Sequence, residues 1–110
     1  MRTITIAKEL WLEPTLLGAT LNFADQPSGW HYRVGIGFQS LGECDKALRE
    51  QGCIWTMRDK SLSITGKREL TLVFCPGTYM ERCLVLRGEE LHAFKSAIHF
   101  LKIASLPNQN

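Results

Sequence analysis

Residues 30–39, WHYRVGIGFQ, place Trp30, Tyr32, Val34, Ile36 and Phe38 at alternate positions, with His31, Arg33, Gly35, Gly37 and Gln39 between them. A period of two puts successive side chains on opposite faces of a strand, so this segment predicts a half-buried β-strand with one large apolar face. The other face carries two polar groups and two bare glycines. Thr3 to Ala7 (TITIA) alternates in the same way and predicts a short strand. Residues 19–23 (ATLNF) predict another, joined to 30–39 through the turn-rich ADQPSG as an antiparallel hairpin. Pro14 interrupts the stretch between them, and the state of KELWLE stays open.

The period then changes from two to that of a helix. Leu41, Cys44, Ala47 and Leu48 share one face, while Asp45, Lys46, Arg49 and Glu50 share the other. Ser40 and Glu43 have the S-x-x-E spacing of a capping box, and Gly52 stands where a left-handed C′ residue would end the helix. Four strand-like runs follow at 53–58, 61–65, 69–75 and 82–87, separated by turn residues. Gly88 opens a long amphipathic helix whose apolar face holds Leu91, Phe94, Ala97, Ile98 and Leu101. Glu89 and Glu90 suit its positive end and Lys102 its negative one.

Together these elements predict a single α+β domain over 1–110, with residues 105–110 as a frayed tail. Its expected form is an antiparallel sheet of five to seven strands carrying one short helix at about 41–51 and one long C-terminal helix at about 89–104. The long helix is the element expected to lie close over Gly35 and Gly37. No internal repeat, linker or low-complexity tract is evident.

Composition adds exclusions. Hydrophobic residues at 45% and charged residues at 22% belong to a globular chain and not to a disordered one. No apolar run approaches the roughly 18 residues needed to cross a bilayer, and MRTITIAKELW lacks the apolar core of a secretory signal. A cytoplasmic protein without membrane association is therefore expected. The spacings of Cys44, Cys53, Cys75 and Cys83 match no zinc motif, so free thiols are expected, with two disulfides as the alternative for a secreted chain. No metal site or cofactor is expected. The net charge of +2 is too small to imply nucleic acid by itself, although residues 56–110 hold eight basic against five acidic side chains.

Four candidate chemistries remain. GIGFQSLG lacks the third glycine of a dinucleotide fingerprint, Ser40 standing in its place, and Asp59 sits in a hairpin turn where that fold needs a ribose-binding acid. His92, Lys95, His99 and Lys102 fall on one narrow face of the last helix, either as a solvated polar face or as donors to an acidic partner. Arg58, Lys60, Lys67, Arg68, Arg82 and Arg87 surround strands bearing Ser61, Ser63, Thr65 and Thr71, with Trp55 and Tyr79 nearby. Cations, hydroxyls and a stacking aromatic across a sheet are what single-stranded nucleic-acid binding uses. The order of four strands and one long helix over about 53–104 resembles the PC4-like single-stranded-DNA-binding fold, in element order and without a shared motif. His31 beside Arg33 is the one place where a small enzymatic or ligand-binding pocket is conceivable.

The first expectation for function is a small non-catalytic binding module that acts on a macromolecule, most naturally a protein. Trp11, Trp30, Tyr32 or Trp55 would anchor such an interface, and the helix stripe would flank it. Small domains of this kind include inhibitors, immunity-type proteins and accessory factors of phages and plasmids. Single-stranded nucleic acid is the alternative partner, and a homodimer is a further arrangement open to a chain with free strand edges.

Overall fold

The structure, a computed structural model, describes residues 2–50, 53–57 and 60–104. It has two four-stranded antiparallel sheets and two helices. The first sheet is a meander of β1 (Ile4–Ala7), β2 (Leu10–Thr15), β3 (Gly18–Ala24) and β4 (His31–Gly37), paired in that order and followed by α1 (Phe38–Arg49). The second repeats the plan with β5 (Cys53–Thr56), β6 (Leu62–Gly66), β7 (Leu70–Phe74) and β8 (Arg82–Leu86), followed by α2 (Gly88–Ala104). The order of four strands and a helix thus occurs twice, although the sequence carries no repeat that pattern reading detects. Residues 4–49 carry the same element order as residues 53–104.

Two expectations are corrected here. The strands form two sheets and not one of five to seven, because α1 begins directly after β4 and the chain then starts a new meander. The missed strand is β2, hidden by Pro14. That proline pairs with Ala19 near the hairpin end, beyond Leu12, where the ladder with β1 stops at Ile4. A residue without an N–H is tolerated where no neighbouring strand asks for one.

The helix boundaries also move. Gly37, in extended conformation, is the N-cap of α1, with no side-chain cap, and Phe38 is its first residue. Ser40 therefore lies inside the first turn and no capping box forms. Gly52, proposed to end the helix, lies outside the described residues, as do Arg58, Asp59 and the tail 105–110.

In β4 the burial alternates strictly: Tyr32, Val34 and Ile36 are buried, while His31, Arg33, Gly35 and Gly37 are exposed. The aliphatic faces of both sheets turn inward around Leu10, Leu12, Leu21, Leu62, Ile64, Leu70 and Leu72, all fully buried. The helices fill the same interior. They pack on one another, α1 against β4 and β5, and α2 against β1 and β3 of the first sheet. Each helix thus touches the sheet of the other half. At one corner the sheets meet without a helix between them: Phe74 of β7 stacks on Phe23 of β3 at 4.8 Å and lies 5.5 Å from the Tyr32 ring.

Neither helix lies over the glycines of β4. A Cβ added at Gly35 would meet nothing within 4 Å, so this face is open. The glycine that the packing requires is Gly18, with φ +147° and a notional Cβ only 2.0 Å from the Ile36 carbonyl oxygen. Substituting Gly18→Ala should lower stability by at least about 2 kcal/mol, through strain and displaced backbone. Gly35→Ala should remain within about 1 kcal/mol of wild type. Urea unfolding of the two variants measures the contrast, and equal losses would contradict the assignment of the faces.

Candidate functional site

The outer face of the first sheet holds a row across four strands: Thr5, Trp11, Asn22 and Arg33. Asn22 is only 1% exposed despite facing outward, because its neighbours close over it. Its Nδ2 donates to Glu13 Oε1 at 2.7 Å and to the Thr20 carbonyl at 3.2 Å. With the amide so oriented, Oδ1 accepts from His31 Nε2 at 3.0 Å, which leaves Nδ1 as the unprotonated nitrogen in the neutral ring. The Trp11 and His31 rings lie 5.4 Å apart. His31 and Arg33 are both exposed on an open sheet face, which holds a polar chain of Glu13, Asn22 and His31 where the sequence suggested a pocket.

The aromatic anchors are divided. Tyr32 is buried and its hydroxyl donates to the Met80 carbonyl, tying β4 to the loop before β8. Trp55 is buried on the inner face of the second sheet, and its Nε1 has no hydrogen-bond partner among the described residues. Both rings are thus buried within the chain and are not presented at its surface. Period-two alternation with Leu62 and Ile64 on the paired strand explains the inward turn of Trp55. Trp11 and Trp30 are half-buried, and Tyr79 is 87% exposed with its ring edge-on to Trp30.

The cations expected to follow a nucleic-acid strand lie at opposite ends of the second sheet. Lys60 and Arg82 are at one end, and Lys67, Arg68 and Arg87 are at the other. The outer face between them is uncharged, with rows of Ile54, Thr65, Thr71 and Val85 and of Thr56, Ser63, Val73 and Cys83. Arg87 pairs with Glu69 at 2.6 Å. Arg82 reaches back to Asp25 at 3.1 Å and stacks its guanidinium 4.9 Å from the Trp30 ring. Both therefore have structural partners.

The stripe on α2 is divided, and only His99 and Lys102 are placed beside α1. His92 is exposed, but His99 Nδ1 lies 3.1 Å from Asp45 Oδ1, and Asp45 is buried on α1. The sequence pattern placed Asp45 on a solvated face; the approach of α2 buries it. Lys102 borders a groove with Gly42, Asp45, Lys46, Arg49 and Glu50. Lys95, half-buried, faces a different cavity together with Lys67 and Arg68.

Sequence reading did not single out Leu16, Leu17, Phe100 or Ile103, and it placed Phe38 on the apolar face of the 30–39 strand, whereas Phe38 is the exposed first residue of α1. Leu16 (87% exposed), Leu17, Phe38, Phe100 and Ile103 all leave large side chains in water. Leu16, Pro14 and Phe38 share a groove with Leu101 and Ala104 at the end of α2. Leu16 and Leu17 also border the bare glycine floor of Gly35 and Gly37, and Phe100 shares a groove with Pro14 and Ile4. The tip of the β2–β3 hairpin is thus the centre of one apolar region. Its signal in the sequence was the pair Leu16–Leu17 in a turn, where no core could use them.

All four cysteines are free: Cys44 and Cys53 are buried and Cys83 is exposed. Burial raises the Cys44 thiol far above its ordinary range and also raises that of Cys53, where the nearby Lys95 charge opposes the shift. Among the described residues no three His, Cys, Asp or Glu side chains gather as metal ligands, and no helix is long and apolar enough to cross a membrane. No protein-family model, curated protein or solved structure matches the chain.

Asp25 is the buried carboxylate that holds the 24–30 turn to the second sheet. It accepts from the Ser28 hydroxyl, from the Ser28 amide at 3.2 Å and from Arg82. The Ser28 hydroxyl bond, and then the Ser28 amide and Arg82, hold its carboxyl below the usual carboxylate value against the opposing effect of burial. A group lowered in the folded state contributes stability above its unfolded pKa and loses it as pH falls through the folded one. Stability should therefore decline as pH falls below about 4, and Asp25→Asn should flatten that part of the profile. Urea midpoints across this window check it; an unchanged slope in the variant would remove Asp25 from the account.

Proposed function

We propose that the protein is a non-catalytic binding module of the inhibitor or accessory-factor type, which acts by docking a protein partner on the apolar region around Leu16 and Leu17. One observation carries the reading. Leu16, Leu17, Phe38 and Phe100 stay exposed and line three adjoining grooves, while of the other large aliphatic side chains the exposed ones are Ile54 and Ile103 among the described residues. Soluble proteins seldom leave such a region uncovered unless something docks there. The hairpin tip adds a projecting element, and the floor of Gly35, Gly37 and Thr20 beside it leaves room for a partner side chain. The polar chain of Glu13, Asn22 and His31 is used for packing the outer face, which favours binding over catalysis at that position. A cytoplasmic setting belongs to the same proposal and is supported by four unpaired thiols.

The double variant Leu16→Glu/Leu17→Glu separates docking from folding. Both residues are exposed at a turn, so its stability should lie within about 0.5 kcal/mol per site of wild type. Capture from the native host, quantified by mass spectrometry, should recover a specific protein with the wild type and at least about tenfold less with the variant. Sedimentation of the purified chain shows whether that partner is a second copy. Recovery of the same proteins in equal amount by both forms would overturn the proposal.

A further inference from the structure

The sequence distributed Lys67 and Arg68 to a hairpin and Lys95 to a helix face, as parts of different candidates. The fold brings them together. They line one cavity of about 240 Å³ with Leu48, Glu50, Cys53, Gly66 and Leu70. It is built by the β6–β7 hairpin, the middle of α2, the end of α1 with Glu50, and Cys53 at the start of β5. The hairpin is held in shape by Gly66, whose φ is +114° and whose notional Cβ would stand 2.1 Å from the Glu69 carbonyl oxygen. That tight turn fixes the stem from which Lys67 and Arg68 project.

Charge is what distinguishes this cavity. Three cations and one carboxylate line it, and among the described residues none of Lys67, Arg68 and Lys95 belongs to an ion pair. Elsewhere Arg82 pairs with Asp25, Arg87 with Glu69, and Arg49 and His99 with Asp45. A surplus of like charge around one concavity is unfavourable alone and focuses the field on an anion. The field reaches the interior, since the Lys95 charge acts on the buried Cys53 thiol. The volume lies below the roughly 300–1,000 Å³ of pockets that enclose drug-sized ligands, which points to a small group. An arginine fork with two lysine ammonium groups is the donor set that suits a tetrahedral oxyanion with two or more acceptors.

We infer that the cavity of Lys67, Arg68 and Lys95 is a binding site for a terminal phosphoryl group, either free as inorganic phosphate or carried at the end of a single-stranded nucleic acid. This site lies apart from the apolar region and does not depend on the protein-docking proposal. The phosphoryl oxygens accept from Arg68 and the two ammonium groups. Glu50 at the rim restricts the site to ligands that bring enough negative charge to outweigh it.

Amide-resolved NMR titration at fixed ionic strength tests this with three probes: inorganic phosphate, a short 5′-phosphorylated oligodeoxynucleotide and the same strand with a 5′-hydroxyl. Saturable shifts centred on Gly66, Arg68 and Lys95 are expected with phosphate, with the phosphorylated strand, or with both, and which of them binds identifies the source. Lys67→Gln/Arg68→Gln alters only exposed hairpin side chains and should raise that Kd about tenfold or more. Lys95→Gln should do the same, and its fold is checked from the unperturbed remainder of the spectrum. No saturable shift at these residues would overturn the inference. So would an unchanged Kd in the hairpin variant, or a hydroxyl-ended strand that binds as tightly as phosphate and the phosphorylated strand.

Discussion

The contact of Phe74 with Phe23 and Tyr32 is what makes two sheets into one protein. Each meander has one apolar face, and a four-stranded sheet alone cannot remove that face from water. The helices cover most of it, but at this corner no helix intervenes and the rings meet directly. Offset aromatic packing at 4.8–5.7 Å combines large buried area with defined geometry, so it fixes the angle between the sheets as well as joining them. Around the rings the polar groups are satisfied in ways that hold the same joint. The Tyr32 hydroxyl reaches the Met80 carbonyl, and Asp25 takes Arg82 from the start of β8.

The helices secure the opposite side by exchange. α2, which belongs in sequence to the second meander, lies on β1 and β3 of the first, and α1 meets β5 of the second. Asp45 and His99 mark the seam between them, with a buried carboxylate matched to a half-exposed imidazole. The two units of four strands and a helix therefore share one core, a single cluster of buried side chains drawn from both. The surface features follow from this arrangement. The hairpin tip with Leu16 and Leu17 stands beside the first turn of α1 and the last of α2, and the basic cavity opens where α1, β5 and α2 converge.

Much of the local structure was legible in the chain. The alternation in 30–39 identified β4 and the buried face of Tyr32, Val34 and Ile36, and the two helices fell where periodicity placed them, apart from both ends of α1, which spans Phe38–Arg49 and not 41–51. What escaped has physical reasons. Pro14 reads as a breaker, and only the early end of β1 makes it harmless in β2. Ser40 and Glu43 matched a local motif, but β4 running straight into α1 moved the cap to Gly37. Whether eight strands form one sheet or two depends on where the chain goes after α1, and no local pattern records that. The sites were less legible than the fold. Trp55 and Tyr32 looked like anchors because aromatic content says nothing about which face is covered, whereas alternation with the paired strand does. Lys67, Arg68 and Lys95 stand up to 28 positions apart in the chain, and only the packing of α2 on the hairpin side brings them to one cavity.

Dividing the strands into two open sheets doubles the number of lateral edges from two to four, and each edge offers unpaired backbone groups to any extended chain. Three of the four are blunted. β1 and β5 have only four residues each, β1 with an irregular register, and β8 is bracketed by Arg82 and Arg87. β4, with seven residues, is the long one. Its resistance to edge-to-edge stacking with other copies rests on alternate positions that carry His31 and Arg33, and on an immediate continuation into α1 that stops any added strand from running past Gly37. The glycines of WHYRVGIGFQ thus sit at the one border where the molecule has to guard against growing a further strand.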